Sequence, residues 1–199
     1  MHEESLDPLA YQLGRLCHVW AEVEFTISRL FETVGGMRAQ GAPMMLDCLD
    51  PRDKTMAVKA GAIPYATARG AAWAAELIDS LNYVDNTLRP IRNRYVHDLW
   101  REHDKLAVRF TFRPKIEKPQ AFRRLVVYAG HSQVETEERM MAVLDALKAE
   151  GNWIIDLDEI GRSRRWSQLT ALLPTRPERP LFLPPVETPG QKGKRTPTP

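Results

Sequence analysis

The chain has few cysteines, no long apolar run and no marked excess of charge of either sign. Only Cys17 and Cys48 occur, and no C-x-x-C pair or His/Cys cluster suggests a zinc site, so both are predicted to be buried reduced thiols. No stretch approaches the length of a membrane span, and no basic region precedes an apolar run at the N-terminus. These features predict a soluble cytoplasmic protein.

The charge balance and the proline distribution limit the function and the domain organisation. The 28 basic and 26 acidic side chains nearly cancel, which excludes a protein that coats polyanions but allows a local basic cleft. The length suits one domain, predicted to cover residues 1–173. Prolines crowd residues 174–199, so this stretch is predicted to be a disordered tail that folding does not need.

Two segments show apolar residues at alternating three- and four-residue steps, which is typical of bundle helices. The first begins at Asp7-Pro8 and ends at Gly35-Gly36. Its apolar series is Leu13, Leu16, Trp20, Val23, Ile27, Leu30 and Val34. The second begins near Gly70, and its series is Ala74, Leu77, Leu81, Val84, Leu88, Ile91 and Tyr95. Because this register continues through Pro90, we expect one helix that is kinked there.

Shorter elements complete the predicted fold. Asp50-Pro51 opens a helix that Pro64 is expected to stop. Residues 105–112 and 124–128 predict a β-hairpin around a loop containing Pro114 and Pro119. The fold class is therefore mainly α, an up-and-down helical bundle with a small β-hairpin inserted near residues 105–128.

The predicted bundle closes with two helices after the hairpin. Ser132-Gln133-Val134-Glu135 has the form of a capping box and predicts a helix to about Gly151. Its expected inward residues are Val134, Met141, Val143, Leu144 and Leu147. A last short helix is predicted over residues 163–173.

One stretch of the kinked helix combines residue types suited to acid–base chemistry on phosphate. In Arg92-Asn93-x-x-x-His97, an arginine that can fork onto phosphate oxygens precedes a histidine that titrates near neutral pH. Such a pair can act on a phosphodiester without a metal. Arg89, Asn93 and His97 lie four residues apart, away from the apolar seam, so they are expected to face a cleft or a partner.

Glu24 stands one turn from Trp20 inside the apolar stripe of the first helix. One interpretation places it at the edge of the stripe, with its carboxylate reaching water. The other points the carboxylate into the bundle, where it would need an arginine partner.

Arg92-Asn93-x-x-x-His97 resembles the signature of the HEPN superfamily, all-α proteins of which many are metal-independent ribonucleases. The order of helices over about residues 6–150 is also similar, since the HEPN motif helix packs against the opening helix. The resemblance implies an endoribonuclease that needs no cofactor and cuts RNA through the attack of its own 2′-hydroxyl. His97 would then be the general acid/base, Arg92 would stabilise charge on the phosphate, and Asn93 would orient substrate or histidine. Glu24 and Arg89 would support them.

The resemblance also implies partners. HEPN nucleases generally pair as homodimers, and the likeness suggests a toxin or phage-defence (abortive infection) effector with a cognate antitoxin protein. HEPN toxins paired with nucleotidyltransferase antitoxins often carry a tyrosine two places after the histidine; Leu99 stands there, which argues against that subtype. The candidates for RNA phosphate contacts are Arg94, Arg101, Arg162, Arg164 and Arg165, and for each of them ordinary surface charge is the alternative.

A second class of function fits the same residues. The bundle would then be a non-catalytic helical module that binds a protein or a nucleotide, with the polar face of the motif helix as its docking surface.

Overall fold

Helices make up most of the part of the chain that the structure describes. This computed structural model describes residues 7–36, 48–66, 70–103, 106–116, 126–134, 136–165, 168–172 and 175–181. Within them the helices are α1 (Asp7–Gly35), α2 (Pro51–Ala66), α3 (Ala71–Tyr83), α4 (Arg89–His97), α5 (Glu137–Arg162) and α6 (Leu169–Leu172), with a π-helical segment, Val84–Leu88, between α3 and α4. The strands are β1 (Leu99–His103), β2 (Leu106–Ile116) and β3 (Val126–Val134). The predicted mainly helical class is confirmed.

The two predicted apolar series form the core. In α1 every member is buried except Leu13, and from α3 to α4 every member is buried except Ile91; these two side chains pack partly buried against the core. Removing such a side chain from water contributes about 1.5–3 kcal/mol, so these faces hold the helices together more than helix propensity does.

The ends of α1 and α2 follow the predicted signals with one exception. Gly36, with a φ of +61°, ends α1 in the left-handed region that glycine tolerates. Asp50 caps α2, because its Oδ1 accepts the backbone N–H groups of Asp53 at 2.9 Å and Arg52 at 2.8 Å. Pro64 does not stop α2, which continues to Ala66. A proline so close to the end of a helix removes only one of its last backbone hydrogen bonds.

The helices do not alternate strictly in direction, which corrects the up-and-down arrangement. Helix α5 runs parallel to α1, since Gln12 contacts Glu137 near both N-termini and Thr33 contacts Asp158 near both C-termini. Trp73, at the start of α3, donates to the carbonyl of Leu157 near the end of α5, so α3 runs the opposite way.

Helix α2 breaks the alternation. Gly61 lies against Val34 near the end of α1, while Thr55, near the start of α2, shares Arg89 with Glu24 in the middle of α1. Helices α1 and α2 therefore run in the same direction.

The strands form a three-stranded antiparallel sheet in the order β1-β2-β3. The register pairs Leu99 with Phe110 between β1 and β2, and Ile116 with Val126 between β2 and β3. Pro114 lies within β2, opposite Tyr128, rather than in a loop, and Pro119 lies outside the described residues. Strand β1 is absent from the sequence prediction because its polar residues do not alternate with apolar ones.

Helix α5 begins later and ends later than predicted. Residues 132–134 belong to β3, and Thr136 caps α5 by accepting the N–H of Arg139 at 3.2 Å. Gly151 is buried inside the helix, where an added Cβ would lie 3.0 Å from Cγ2 of Val23. It thus serves close packing against α1 and does not end the helix. The helix predicted over 163–173 is reduced to α6.

Residues 175–181 correct the predicted boundary of the tail. This stretch, named here the C-terminal strap, carries Arg176 and Arg179, which pair with carboxylates of α3 and α5. The sequence prediction overlooked them because it judged the tail by its apolar content, and the strap binds through charge. Residues 182–199 lie outside the described part.

Two further predictions concern cysteines and membranes. Cys17 is half-buried and Cys48 is exposed, so the prediction that both are buried is wrong. Among the described residues, no helix combines the length and the apolar character needed to cross a membrane.

Candidate functional site

The motif helix α4 continues α3 through the π-helical segment. The N–H of Arg89 donates to the carbonyl of Val84, five residues earlier, and Arg89 keeps helical angles of −61° and −49°. Pro90 has no N–H, and its ring crowds the preceding turn of an ordinary α-helix. The wider π turn provides room for that ring. The predicted continuity of the helix through Pro90 is confirmed, and the kink at Pro90 stays a prediction.

Two of the three motif residues, Asn93 and His97, lie on the outward side of α4. Leu88 and Tyr95 are buried, whereas Asn93 and His97 are exposed. Asn93 and His97 are one turn apart, so they share this face as predicted. His97 makes no hydrogen bond to any residue in the described part of the chain, and the structure leaves its imidazole open to a ligand.

Arg89 does not share the outward face, and that part of the prediction is wrong. Its side chain is only 13% exposed and turns toward α1 and α2. It lies 3.2 Å from Asp85 and 3.5 Å from Glu24, and it donates to Oγ1 of Thr55 at 3.2 Å. Asp85 also binds Lys59 at 2.7 Å. Arg89 therefore joins three helical segments, and its predicted support of a catalytic site stays a prediction.

Glu24 combines the two interpretations of the sequence. Its side chain is 35% exposed, so it lies at the edge of the stripe, yet it also pairs with Arg89. The arginine partner that an inward-facing carboxylate requires is therefore present.

Trp20 contacts two of the three arginines of the motif helix. The guanidinium carbon of Arg89 lies 5.1 Å from the centroid of the Trp20 ring, and that of Arg92 lies 5.5 Å from it. Both distances are in the range of cation–π attraction. Sequence reasoning identified Trp20 only as a core residue; the signal available was its place one turn before Glu24.

Arg92 differs from Arg89 in its electrostatic surroundings. Its Nη1 donates to Oδ1 of Asn93 at 3.1 Å, and its buried Nε has no hydrogen-bond partner. No carboxylate of a described residue forms an ion pair with it. Arg92 thus holds an unneutralised positive charge next to the exposed amide of Asn93, which favours an anion at this point.

The sheet fixes the end of α4 that carries His97. Asp98, directly after His97, accepts from Nη1 of Arg109 in β2 at 2.7 Å, and both side chains are largely buried. The Arg109 guanidinium also lies 5.1 Å from the ring centroid of Tyr95, and Nε1 of Trp100 donates to the carbonyl of Tyr95. Sequence reasoning missed this cluster because Asp98 and Arg109 meet only through the sheet.

The predicted RNA-binding arginines do not form one surface. Arg94 is half-buried on α4, and Arg101 lies in β1 opposite Val108. Arg162 pairs with Asp158 at 2.9 Å and with Glu32 at 3.3 Å. Glu32 is about 18 Å from Trp20 along the axis of α1, so Arg162 is remote from the motif.

Arg164 and Arg165 lie just after α5, close to Arg162 at the end of that helix. Arg165 donates to Oγ of Ser163 at 2.9 Å, and Arg164 has a φ of +55°. The structure therefore turns Arg92 toward Trp20, as it does Arg89 with its partner Glu24, and leaves Asn93 and His97 exposed on the same helix. The 162–165 arginines lie elsewhere.

Metal-binding groups and similarity to known proteins bear on the identity of the site. Within the described ranges, no group of three or more His, Cys, Asp and Glu side chains is placed to hold a metal ion. Compared with protein-family models, with curated proteins and with solved structures, the chain matches none of them.

Proposed function

We propose that the chain is an endoribonuclease of the HEPN type, with a HEPN-type bundle, and that Arg92, Asn93 and His97 form its site. The main support is the charge around Trp20. Arg89 is matched by Glu24 and Asp85, whereas Arg92 is matched by no carboxylate of the described residues. An unneutralised guanidinium and an exposed imidazole five residues apart on one helix suit a phosphodiester.

In the proposed reaction, His97 accepts the proton of an RNA 2′-hydroxyl, and that oxygen attacks the adjacent phosphorus. The bond from phosphorus to the 5′-oxygen breaks, and the 5′-oxygen leaves with a proton from the His97 imidazolium. Arg92 stabilises the charge that develops on the non-bridging oxygens, and Asn93 holds the guanidinium through its Oδ1. The products are a 2′,3′-cyclic phosphate and a 5′-hydroxyl, and no metal takes part.

A second copy of the chain would complete this site. Asn93 and His97 are exposed on one helix face, and a single face cannot enclose a phosphate or exclude water from it. A two-fold axis beside α4 would place the Arg92 and His97 side chains of both copies around one cleft. From the HEPN resemblance we further propose a toxin or phage-defence effector, which an antitoxin protein would restrain by covering the cleft.

The test is cleavage of mixed RNA by the purified protein with and without EDTA. We expect cleavage in both conditions, 2′,3′-cyclic ends, and a dimer by light scattering. His97→Ala should abolish cleavage. His18→Ala is the matched control, since His18 is also an exposed helical histidine, 3.4 Å from Glu22 on α1.

Two results would contradict the proposal. One is cleavage that EDTA stops and magnesium restores, since the proposed chemistry uses no metal. The other is RNA binding without cleavage that is equal for wild type and His97→Ala, which would favour the non-catalytic module.

A further inference from the structure

The C-terminal strap lies on an acidic groove between α3 and α5. We name the acidic groove by its carboxylates, Glu76 and Asp79 of α3 and Glu150 of α5. Arg176 binds Glu76 at 2.9 Å and Glu150 at 3.2 Å, and it also pairs with Asp79. A strap arginine therefore contacts every carboxylate of the groove.

Arg179 occupies the groove in a geometry that lysine cannot reproduce. Its Nε and Nη2 donate to the two oxygens of Glu150 at 3.2 and 2.9 Å, a bidentate fork. Its Nη1 lies 2.9 Å from Asp79, and its guanidinium carbon lies 4.2 Å from the centroid of the Tyr83 ring. Fork and ring stacking both depend on a planar guanidinium, so the groove selects arginine over lysine.

The strap is held by charge, without apolar anchors. No residue from 175 to 181 is buried, and Leu181 is fully exposed. A segment that buries no apolar side chain lacks the main source of tight docking. Ion pairs at partly exposed positions also weaken as salt rises. The contacts thus describe a ligand that can leave the groove.

The groove, by contrast, requires an occupant. With the strap in place the Glu150 side chain is only 2% exposed, and its carboxylate would lose both cationic partners if the strap left. Besides the strap arginines, no basic side chain of the described residues pairs with it. The hydroxyl of Tyr83 is also buried in the described structure without a hydrogen-bond partner. An emptied groove would therefore favour capture of another arginine-bearing segment.

We propose that the acidic groove is a binding site for extended protein segments that contain Arg-x-x-Arg, and that the strap is its resident, exchangeable ligand. Two arginines three residues apart in an extended chain match the groove, as Arg176 and Arg179 show. The partner is a proline-flanked Arg-x-x-Arg segment of another protein, which would compete with the strap. This proposal is independent of the ribonuclease activity.

The test uses a fluorescent peptide with the sequence of residues 174–182, PTRPERPLF. The full-length protein carries Arg176→Gln and Arg179→Gln, which leave the groove without its resident ligand. Fluorescence anisotropy should show binding at least about tenfold tighter than to wild type, because a tethered strap competes at an effective concentration near millimolar. A peptide with lysine in place of both arginines should bind about tenfold more weakly than the arginine peptide.

Adding Glu150→Gln to the double variant is the control for the site, and it should remove the binding. Equal affinity for wild type and the double variant would overturn the proposal. Binding that persists after Glu150→Gln would overturn it as well, since the peptide would then lie elsewhere.

A second measurement applies if the double variant does not fold. In full-length protein with Cys17→Ser and Cys48→Ser, a dye is attached at Thr175→Cys on the exposed start of the strap. Unlabelled arginine peptide should lower the dye anisotropy as the strap is displaced, and the lysine peptide should not. An unchanged anisotropy at millimolar peptide would show that the strap does not exchange.

Discussion

The protein contains two pairs of arginines that have similar neighbours but differ in how their charge is neutralised. Arg89 and Arg92 are three residues apart on a helix and lie over the ring of Trp20. Arg176 and Arg179 are three residues apart in an extended strap, and Arg179 lies over the ring of Tyr83. Each pair is close to carboxylates. The pairs differ in how many of their two guanidiniums form ion pairs with carboxylates.

In the strap pair both guanidiniums are neutralised, since each binds Glu150 and Asp79. In the helix pair only Arg89 is neutralised, while Arg92 has the Asn93 amide as its hydrogen-bond partner. The charges of the strap arginines are thus neutralised by carboxylates of the same chain, whereas the charge of Arg92 can still attract a ligand. An arginine near an aromatic ring is therefore no sign of function until its anionic partners are known.

The largest expected effect separates the two members of the helix pair. Arg92→Ala should lower RNA cleavage at least about a hundredfold, as loss of a charge-stabilising group does. Its unfolding free energy should fall by no more than about 1 kcal/mol, for the lost contact with Trp20. Arg89→Ala should instead lower that free energy by about 2 kcal/mol, because it leaves the largely buried Asp85 with one cation fewer.

Urea unfolding and an RNA cleavage assay on both variants measure this difference. Arg92→Lys is the matched control, since it keeps the charge and loses the fork, so its activity should lie between wild type and Arg92→Ala. Equal losses of stability in the two alanine variants would mean that Arg92 is as structural as Arg89.

The next effect concerns the strap pair. Arg176→Ala with Arg179→Ala should lower the unfolding free energy by about 2–3 kcal/mol, because Glu150 loses both of its cationic partners. Calorimetry should show a melting temperature lower by about 5–10 °C. This prediction replaces the expectation that residues 174–199 can be removed without loss of stability.

Two variants control the strap experiment. Adding Glu150→Gln should restore part of the lost stability, since the uncompensated charge is removed. Arg165→Ala, at an exposed arginine 4.0 Å from Glu159, should change stability by less than about 0.5 kcal/mol. An unchanged melting temperature for the double alanine variant would show that the strap does not pack on the groove in solution.

The sequence predicts the parts of the fold that depend on local periodicity. The apolar steps of α1 and of the helix through Pro90 identify the core, and Asp50-Pro51 identifies the start of α2. The direction of α2 was not predictable in this way, because helix direction depends on the path of the connection. Gly151 also misled the prediction, since a glycine needed for close packing looks like a helix end in sequence.

The site was predictable only where the helix period decides which way a side chain points. Asn93 and His97 face outward as their spacing implies. Arg89 does not, because a long side chain next to a π turn can reach Asp85, Glu24 and Thr55. The Asp98–Arg109 pair and the strap on Glu150 join residues far apart in the chain, and no local pattern reveals them.

The smallest expected effect is a pH dependence that arises from Tyr83 in the strap region. Burial first, and then the charge of Glu150, raise the pKa of Tyr83 above its ordinary value of 10.0. The folded protein thus favours the neutral phenol, and the unfolded chain loses the proton first. The stability contributed by this group is complete below pH 10 and is lost as the pH rises through the folded pKa. Wild type should therefore lose more stability between about pH 9 and 11 than Tyr83→Phe, by urea unfolding at each pH. Tyr65→Phe, at a tyrosine that packs on Trp73, is the control and should follow wild type. Trp20, the aromatic partner of the helix pair, has no proton that titrates in this range. If the stability of wild type and of Tyr83→Phe changed in parallel with pH, the two arginine pairs would not differ in their pH dependence.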